Sequence, residues 1–238
     1  MLRFDFVTLF PEMVLGATRY SILGRAREAG AVSFGTANPR DFASDRHRSV
    51  DDRPFGGGPG MIMMPETIAA AVRSLEPDRK DAIVLLDARG PLFAQADARD
   101  LAEKSRIILI CGHYGGVDDR VRQSFATHIF SVGDFVLTGG ELPALVVTDA
   151  IVRLLPGVLG SEESAALDTH SQGILSAPQF TQPETFEGLR VPEVLRCGNH
   201  AAAARWKRSE ALKLTRRMRP DLFWRASLEK ADVDMLSS

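Results

Sequence analysis

The chain has 238 residues, of which 45% are hydrophobic and 25% charged, a balance typical of a globular protein with a buried core. Its two cysteines, Cys111 and Cys197, exclude a disulfide framework and a cysteine zinc site. The net charge of −2 argues against a uniformly basic protein, yet residues 190–219 hold nine Lys or Arg against two Glu. That segment indicates either an RNA-binding face or a solvated helix face, and its charge alone favours the solvated face.

The first residues, MLRFDFVTLFPEM, are too short and too acidic for a secretion signal. The most apolar stretch, 142–155, is interrupted by Asp149 and Arg153, as expected of a core helix and not of a membrane span. We therefore expect a cytoplasmic protein that makes no membrane contact.

Short apolar runs alternate with helical patterns over the first 160 residues. Residues 4–10 read as a strand, Pro11 opens a helix, and residues 40–60 are expected to form a long, mobile surface loop. Further strands are predicted at 83–86, 107–111 and 129–132, and further helices at 65–75, 95–104, 117–126 and 142–155. This alternation predicts an α/β fold with a parallel sheet covered on both faces.

The remainder of the chain has a different character. Residues 160–192 are polar and contain prolines, whereas 194–218 predict a basic helix that carries Trp206. The predicted organisation is an α/β domain over 1–160, a flexible linker over 161–192 and a small helical domain over 193–238.

Three segments follow predicted strands and contain glycine, so they are candidates for a shared pocket beyond the carboxyl ends of the sheet. They are LDARG (86–90), CGHYGGVDDR (111–120) and SVGDFVLTGGE (131–141). Glycine is also common in ordinary βα turns, so one such loop would be weak support. Neither G-x-G-x-x-G nor G-x-x-x-x-G-K-[ST] occurs, which argues against a dinucleotide fold and a P-loop. A pocket without a phosphate cradle suits a neutral adenosine ligand.

Six motifs, in order along nearly the whole chain, closely resemble the bacterial tRNA (guanine-N1)-methyltransferase family. They are FGGGPGMIM (55–63), CGHYGGVDDR (111–120), SVGDFVLTGGELPAL (131–145), LLPGVLG (154–160), ALDTHSQG (166–173) and PEVLRCGNH (192–200). The resemblance implies a SPOUT-type fold whose parallel sheet ends in a deep trefoil knot, a rare topology. It also implies a homodimer with its active site between subunits.

The resemblance further implies S-adenosylmethionine as cofactor and the tRNA anticodon stem-loop as partner, with methylation at N1 of guanosine 37, immediately 3′ of the anticodon. The implied cofactor contacts are Leu86, Gly112, Val132, Gly133, Asp134, Phe135, Val136, Leu137, Gly139 and Gly140. The implied RNA contacts are Asn199, His200, Arg205, Lys207, Arg208 and Lys213.

Arg153 and Asp168 fall on the catalytic positions of the family. Taken alone, Arg153 would be read as a helix C-terminal charge and Asp168 as a turn residue. The resemblance makes Asp168 the general base for the N1 proton and Arg153 the donor that stabilises charge on guanine O6. The linker that carries Asp168 is expected to order as a lid over bound RNA. No metal-ligand cluster is visible, so any Mg²⁺ would be held through the RNA or by a carboxylate such as Glu141 or Asp168.

The chain departs from the family pattern at four places. Gly115 stands where Glu is usual, Phe180-Thr181-Gln182-Pro183 where Tyr-Thr-Arg-Pro is usual, Asp87-Ala88 where Ser-Pro is usual, and Phe135 where Tyr is common. Two alternatives are a knotted methyltransferase for ribosomal RNA or a ribose hydroxyl, and a non-catalytic RNA- or cofactor-binding protein. The ALDTHSQG segment argues against the first, and retention of both Arg153 and Asp168 argues against the second.

Overall fold

The computed structural model of the chain describes residues 1–160, 168–171 and 173–237. The chain divides into two compact units, Met1–Gly160 and Ser161–Ser238, and each is described by itself. Part of the predicted lid, including Ala166, Leu167 and Gln172 of the ALDTHSQG motif, lies outside the described residues.

The first unit contains the predicted parallel sheet. Its strands are β1 (Leu2–Val7), β2 (Val32–Ala37), β5 (Ala82–Leu86), β6 (Arg106–Cys111) and β7 (His128–Phe130), in the spatial order β2-β1-β6-β5-β7. All four strand pairs are parallel. The α/β prediction with a parallel sheet is therefore confirmed.

Helices connect these strands. They are α1 (Pro11–Ala17), α2 (Ser21–Glu28), α3 (Pro65–Ser74), α4 (Gln95–Ala102), α5 (Asp119–Phe125) and α6 (Glu141–Val152). The sequence interpretation omitted α2 and β2, and its first strand is too long. β1 ends at Val7 because Pro11 occupies the first turn of α1 and Phe10 is that helix's N-cap residue.

The predicted loop over 40–60 contains more structure than expected. A short 3-10 helix covers Pro39–Phe42, and β3 (Asp51–Asp52) pairs antiparallel with β4 (Ile62–Met63). Val50 is completely buried, so this segment is tied to the core at that point. The predicted surface loop therefore contains short regular elements, and Phe55 and Gly56 within it are exposed.

The central strands bury both faces, which produces two cores in the first unit. Val84, Leu86 and Leu109 belong to one apolar cluster, whereas Leu85 and Ile110 belong to the other. Successive side chains of a strand point to opposite faces, so a continuous apolar run supplies both clusters. α6 covers the first cluster through Ala144, Val147 and Ile151.

An ion-pair network lies near the amino ends of β5 and β6. Asp5 is fully buried, and Arg106 donates to its Oδ2 over 2.7 Å. Arg3 pairs with the same carboxylate, and Arg106 also approaches Asp81 at 3.6 Å. A buried carboxylate needs such partners because its desolvation is costly. The carboxyl ends of β5, β6 and β7, which the three glycine-containing segments follow, lie at the opposite end of the sheet.

The second unit consists of a hairpin followed by helices. Its described elements are β8 (Thr185–Phe186), β9 (Leu189–Arg190), a 3-10 turn (Glu193–Leu195), α7 (His200–Met218), α8 (Pro220–Phe223) and α9 (Lys230–Ser237). Ile174, Leu212 and Phe223 form its small core. α7 begins at His200 and not at Val194, because the Asn199 side chain caps it by accepting the N–H of Ala202. Among the described residues, every helix falls short of the length or apolarity needed to cross a bilayer.

Candidate active site

One cleft in the first unit collects the three glycine-containing segments. Its lining comes from the loops after β5, β6 and β7, which are neighbours in the sheet, and it encloses about 770 Å³ including its open mouth. That is the size range of small-molecule sites. The lining includes nine of the ten predicted cofactor residues, with Asp134 the exception: Leu86, Gly112, Val132, Gly133, Phe135, Val136, Leu137, Gly139 and Gly140.

Backbone hydrogen bonds hold these loops together. The N–H of Gly140 donates to the carbonyl of Gly112 over 2.8 Å, and the N–H of Asp87 donates to that of Phe130 over 3.0 Å. The hydroxyl of Ser131 donates to the carbonyl of Gly133 over 2.9 Å. The carboxyl ends of parallel strands lie at one edge of a sheet, so short loops after neighbouring strands can form a continuous rim.

Glycine is required where two loops meet at closest approach. A Cβ on Gly140 would lie 2.7 Å from Cys111 Cα and 2.9 Å from Gly112 N. Both are backbone atoms, so neither can rotate away. The backbone of Cys111 and Gly112 occupies the space that a side chain at position 140 would need, so only glycine fits there.

The departure at Gly115 has a local structural basis. The N–H of Gly115 donates to the carbonyl oxygen of Met61 over 2.8 Å. A Cβ on Gly115 would lie 2.9 Å from that same oxygen. The segment before β4 thus occupies the space in which a side chain at position 115 would begin.

Charges around the cleft are balanced within the protein. Hydrogen bonds from Arg89 hold the pKa of Asp87 below its ordinary value, and Arg120 does the same for Asp118. At the buried end, desolvation raises the pKa of the Cys111 thiol well above its usual range, with the Glu141 carboxylate adding to the effect. Asp87, which lines the cleft, is therefore already paired with an arginine.

The surroundings of two polar side chains, Glu141 and His113, were not predicted from the sequence. Glu141 is only 3% exposed, and its Oε1 accepts a 2.7 Å hydrogen bond from the hydroxyl of Thr8. His113 lines the cleft, and its Nδ1 is buried with no hydrogen-bond partner in the described structure. Thr8 lies 133 positions from Glu141, and no sequence pattern predicts such a pairing.

Among the described residues, no group of three or more His, Cys, Asp or Glu side chains is arranged for a metal ion.

The two predicted catalytic residues fall in different units. Arg153 is the C-cap residue of α6, and its N–H donates to the carbonyl of Asp149 over 3.2 Å. Asp168 belongs to the second unit, where its carbonyl accepts the N–H of Ser171 over 3.0 Å. Asp168 also lines a cleft between α7 and residues 174–180.

The predicted RNA contacts separate into two groups by their partners. Asn199 caps α7, Lys213 pairs with Glu210 at 3.0 Å, and Arg208 donates two hydrogen bonds to the buried carboxylate of Asp232. The remaining His200, Arg205 and Lys207 form no ion pair with any described residue. The (i,i+3) spacing of Glu210 and Lys213 could have signalled one of these pairs from sequence.

Comparison with known proteins resolves the family. The model of the family described as tRNA (Guanine-1)-methyltransferase TrmD matches residues 2–225. The chain belongs to this family. Three relatives, each called tRNA (guanine-N(1)-)-methyltransferase, show the extent of the match. The protein of Dictyoglomus turgidum is 50% identical over 99% of this chain and 96% of its own length. The protein of Geobacter sulfurreducens is 49% identical over 99% of this chain and 97% of its own length. The protein of Moorella thermoacetica is 50% identical over 97% of this chain and 94% of its own length.

Family membership confirms the resemblance read from the six motifs. The match covers both units, from the first strand of the sheet to α8, so the second unit belongs to the same family pattern as the cleft. The charge excess over 190–219 therefore lies within the family match and not in an appended segment.

Proposed function

We propose that this chain transfers a methyl group from S-adenosylmethionine to N1 of guanosine 37 in tRNA. The observation that carries the proposal is a family match over residues 2–225 whose motif segments converge on one cleft in the first unit. The same match makes a ribosomal RNA methyltransferase the weaker alternative.

The cleft fits the proposed cofactor by its donor set. Backbone groups of Gly112 and Gly140, with the apolar side chains of Leu86, Val132 and Leu137, would hold the adenosine portion. When bound, S-adenosylmethionine supplies a methyl group on a positively charged sulfur. Gly140 allows the two loops to approach closely, and the paired rim acids add little net charge near the sulfonium.

Asp168 and Arg153 are proposed to act on the guanine. N1 carries a proton at neutral pH, and that proton must leave as N1 bonds to the methyl carbon and the sulfur–carbon bond breaks. The Asp168 carboxylate accepts the proton, and the Arg153 guanidinium stabilises the negative charge that spreads onto O6. The products are N1-methylguanosine and S-adenosylhomocysteine. The protein's own contribution is alignment and proton removal.

A homodimer with shared active sites would bring residues of different units together. Leu142 and Val146, one turn apart on α6, are 50% and 53% exposed, and Met13 on the adjoining α1 and Phe10 at its N-cap are each 45% exposed. Large apolar side chains on two helices that pack together are unusual for a monomer surface and favour self-association.

A trefoil knot is part of the proposal. After β7, at one edge of the sheet, the chain returns past β5 to reach the end of β6, where Gly140 meets Gly112. Such a return brings the segment before α6 close to the loop after β6, the arrangement that a knotted SPOUT-type sheet needs.

Methyl transfer to matched tRNA transcripts tests the proposal. Two transcripts that differ only at the base 3′ of the anticodon, guanine or adenine, are incubated with methyl-labelled S-adenosylmethionine. We expect label on the guanine transcript alone, and mapping of the modified nucleotide to N1. Label on both transcripts, on neither, or at another atom would contradict the assignment.

A further inference from the structure

The second unit contains a wide cleft with no assigned role, which we call the α7 groove. It lies between α7 and residues 174–180 and encloses about 1680 Å³ including its open mouth. The helix side presents Ala203, Ala204 and Ala211, and the other wall ends in Phe180. Small side chains on the helix leave room that leucine or phenylalanine would fill.

The segment 174–180, which forms one wall of the α7 groove, contacts other residues of the second unit at both of its ends. At one end Ile174 packs with Leu212 in the core, and the N–H of Leu175 donates to the hydroxyl of Thr215 over 3.0 Å. At the other end the Phe180 ring centroid lies 6.2 Å from that of Trp206. The segment therefore runs antiparallel to α7.

The chemistry along the groove is that of a nucleotide site. Phe180 is 49% exposed and offers an aromatic ring on which a base can stack. His200 and Lys207 line the opposite side, and Lys207 forms no ion pair with a described residue, so it can bind a phosphate. An aromatic platform beside an exposed lysine favours single-stranded RNA, whose bases are unstacked.

Asp168 marks one end of the groove. The hydroxyls of Thr169 and Ser176 lie 2.6 Å apart, which places Asp168 beside the start of the wall, the end at which Leu175 meets Thr215. Trp206, which contacts Phe180 at the other end, lies nine residues from Thr215 on the helix, about 13 Å away at 1.5 Å per residue. A guanine whose N1 meets Asp168 leaves the end near Phe180 and His200 for another nucleotide.

We infer that the α7 groove binds the nucleotide next to the target guanosine, with its base on Phe180 and its phosphate near Lys207. This inference rests on the proposed function, in which Asp168 meets the target. The groove would thereby hold the unstacked loop in register while the methyl group is transferred.

Anticodon stem-loop RNAs with 2-aminopurine immediately 5′ or immediately 3′ of the target test the inference on the full-length chain. We expect one of the two RNAs to lose fluorescence on binding, because stacking quenches the base. Phe180→Ala should abolish that quenching and weaken RNA binding about tenfold, the effect of one base–aromatic stack. Phe186→Ala, which removes a 63% exposed ring from the hairpin, should change neither.

A second variant tests the groove without removing an aromatic ring. Ala204→Leu fills the space from an exposed helix position and should weaken binding similarly, while tryptophan fluorescence reports whether the second unit remains folded. Equal quenching in the native chain and Phe180→Ala, with methyl transfer intact, would overturn the inference alone. Loss of quenching in Phe180→Ala together with no methyl transfer to any tRNA by the native chain would support the groove and reject the proposed function.

Discussion

Gly140 forms a backbone hydrogen bond between two loops at a point where they approach closely in the wall of the cleft. It precedes α6 and donates its N–H to Gly112, while its missing side chain leaves space for the backbone of Cys111. Glycine at this point permits an approach that any Cβ prevents. The residue therefore joins the loop after β7 to the loop after β6 in the wall of the cleft.

Gly140→Ala is expected to weaken S-adenosylmethionine binding by about tenfold or more, equivalent to about 1.4 kcal/mol. The added Cβ would meet backbone atoms at 2.7 and 2.9 Å, and the two loops must separate to admit it. Isothermal titration calorimetry of the purified variant measures the change.

Gly16→Ala provides the matched control, because that position in α1 has no heavy atom within 4 Å of an added Cβ. Alanine is also the better helix former there. An unchanged dissociation constant in Gly140→Ala would show that the loop contact does not shape the cofactor site.

Single residues also show what a pattern does not reveal. Arg153 follows a helix and Asp168 lies near a turn, positions where charged residues are common for local reasons. Their proposed roles came from the motif resemblance. Thr8 and Glu141 illustrate the opposite case, since their buried hydrogen bond joins residues 133 positions apart and appears only in the folded chain.

At the scale of elements, the most predictable features were the fully buried strands. The apolar runs in β5 and β6 predict strands, because helices cover both faces of the sheet and every position along these strands favours an apolar residue. β2 was missed because VSFGTA (32–37) mixes polar and apolar residues at the sheet edge, and four of its six positions are half-buried. Edge strands carry a weaker hydrophobic signal than central strands.

The helices of the second unit are joined by a side-chain pair whose strength depends on pH. Arg208 of α7 donates two hydrogen bonds, of 2.7 and 2.9 Å, to Asp232 of α9. Those bonds, with the N–H of Glu229, hold the pKa of Asp232 below its ordinary value. Asp232 is 3% exposed, so solvent screens the pair little.

Asp232→Asn is expected to lower the free energy of unfolding of the second unit by about 1–2 kcal/mol at neutral pH. A carboxyl whose folded pKa is lowered stabilises the fold fully above its unfolded pKa, and this stabilisation is lost as pH falls through the folded pKa. The difference between native chain and variant should therefore shrink below about pH 4.

Tryptophan fluorescence during urea unfolding measures this effect, because both tryptophans of the chain, Trp206 and Trp224, lie in the second unit. Asp221→Asn is the control. Asp221 also pairs with an arginine, which lowers its pKa to about 2, but it lies in solvent where ion pairs contribute little. An equal loss in both variants, or a difference that does not vary with pH, would contradict the expectation.

At the scale of the whole molecule, the two catalytic candidates belong to separate compact units. A site built from both requires either that the units of one subunit meet or that two subunits each contribute one. The proposed homodimer takes the second route, in which Arg153 comes from one subunit and Asp168 from its partner.

Mixed dimers distinguish these routes. Arg153→Ala and Asp168→Ala chains, each inactive alone, are co-expressed with different affinity tags, and the heterodimer is isolated by two purification steps. If the site is shared between subunits, one of its two sites keeps both residues, and about half of native activity should return.

The control is a heterodimer in which both subunits carry Asp168→Ala, which should stay inactive. An inactive Arg153→Ala/Asp168→Ala heterodimer would place both residues of each site in a single subunit. A monomer in sedimentation at assay concentration would remove the shared site altogether.

Much about this protein follows from its sequence alone. Buried strands are indicated by apolar runs, several helix starts are marked by Pro, and the motifs identify the tRNA (guanine-1)-methyltransferase family. These signals are local, because each depends on neighbouring residues in the chain. Only the tertiary structure decided which strands are adjacent, that Gly140 meets Cys111, and that Asp232 rather than solvent faces Arg208. Those contacts join residues distant in sequence, and packing selects them through close approach and burial, neither of which a local pattern encodes.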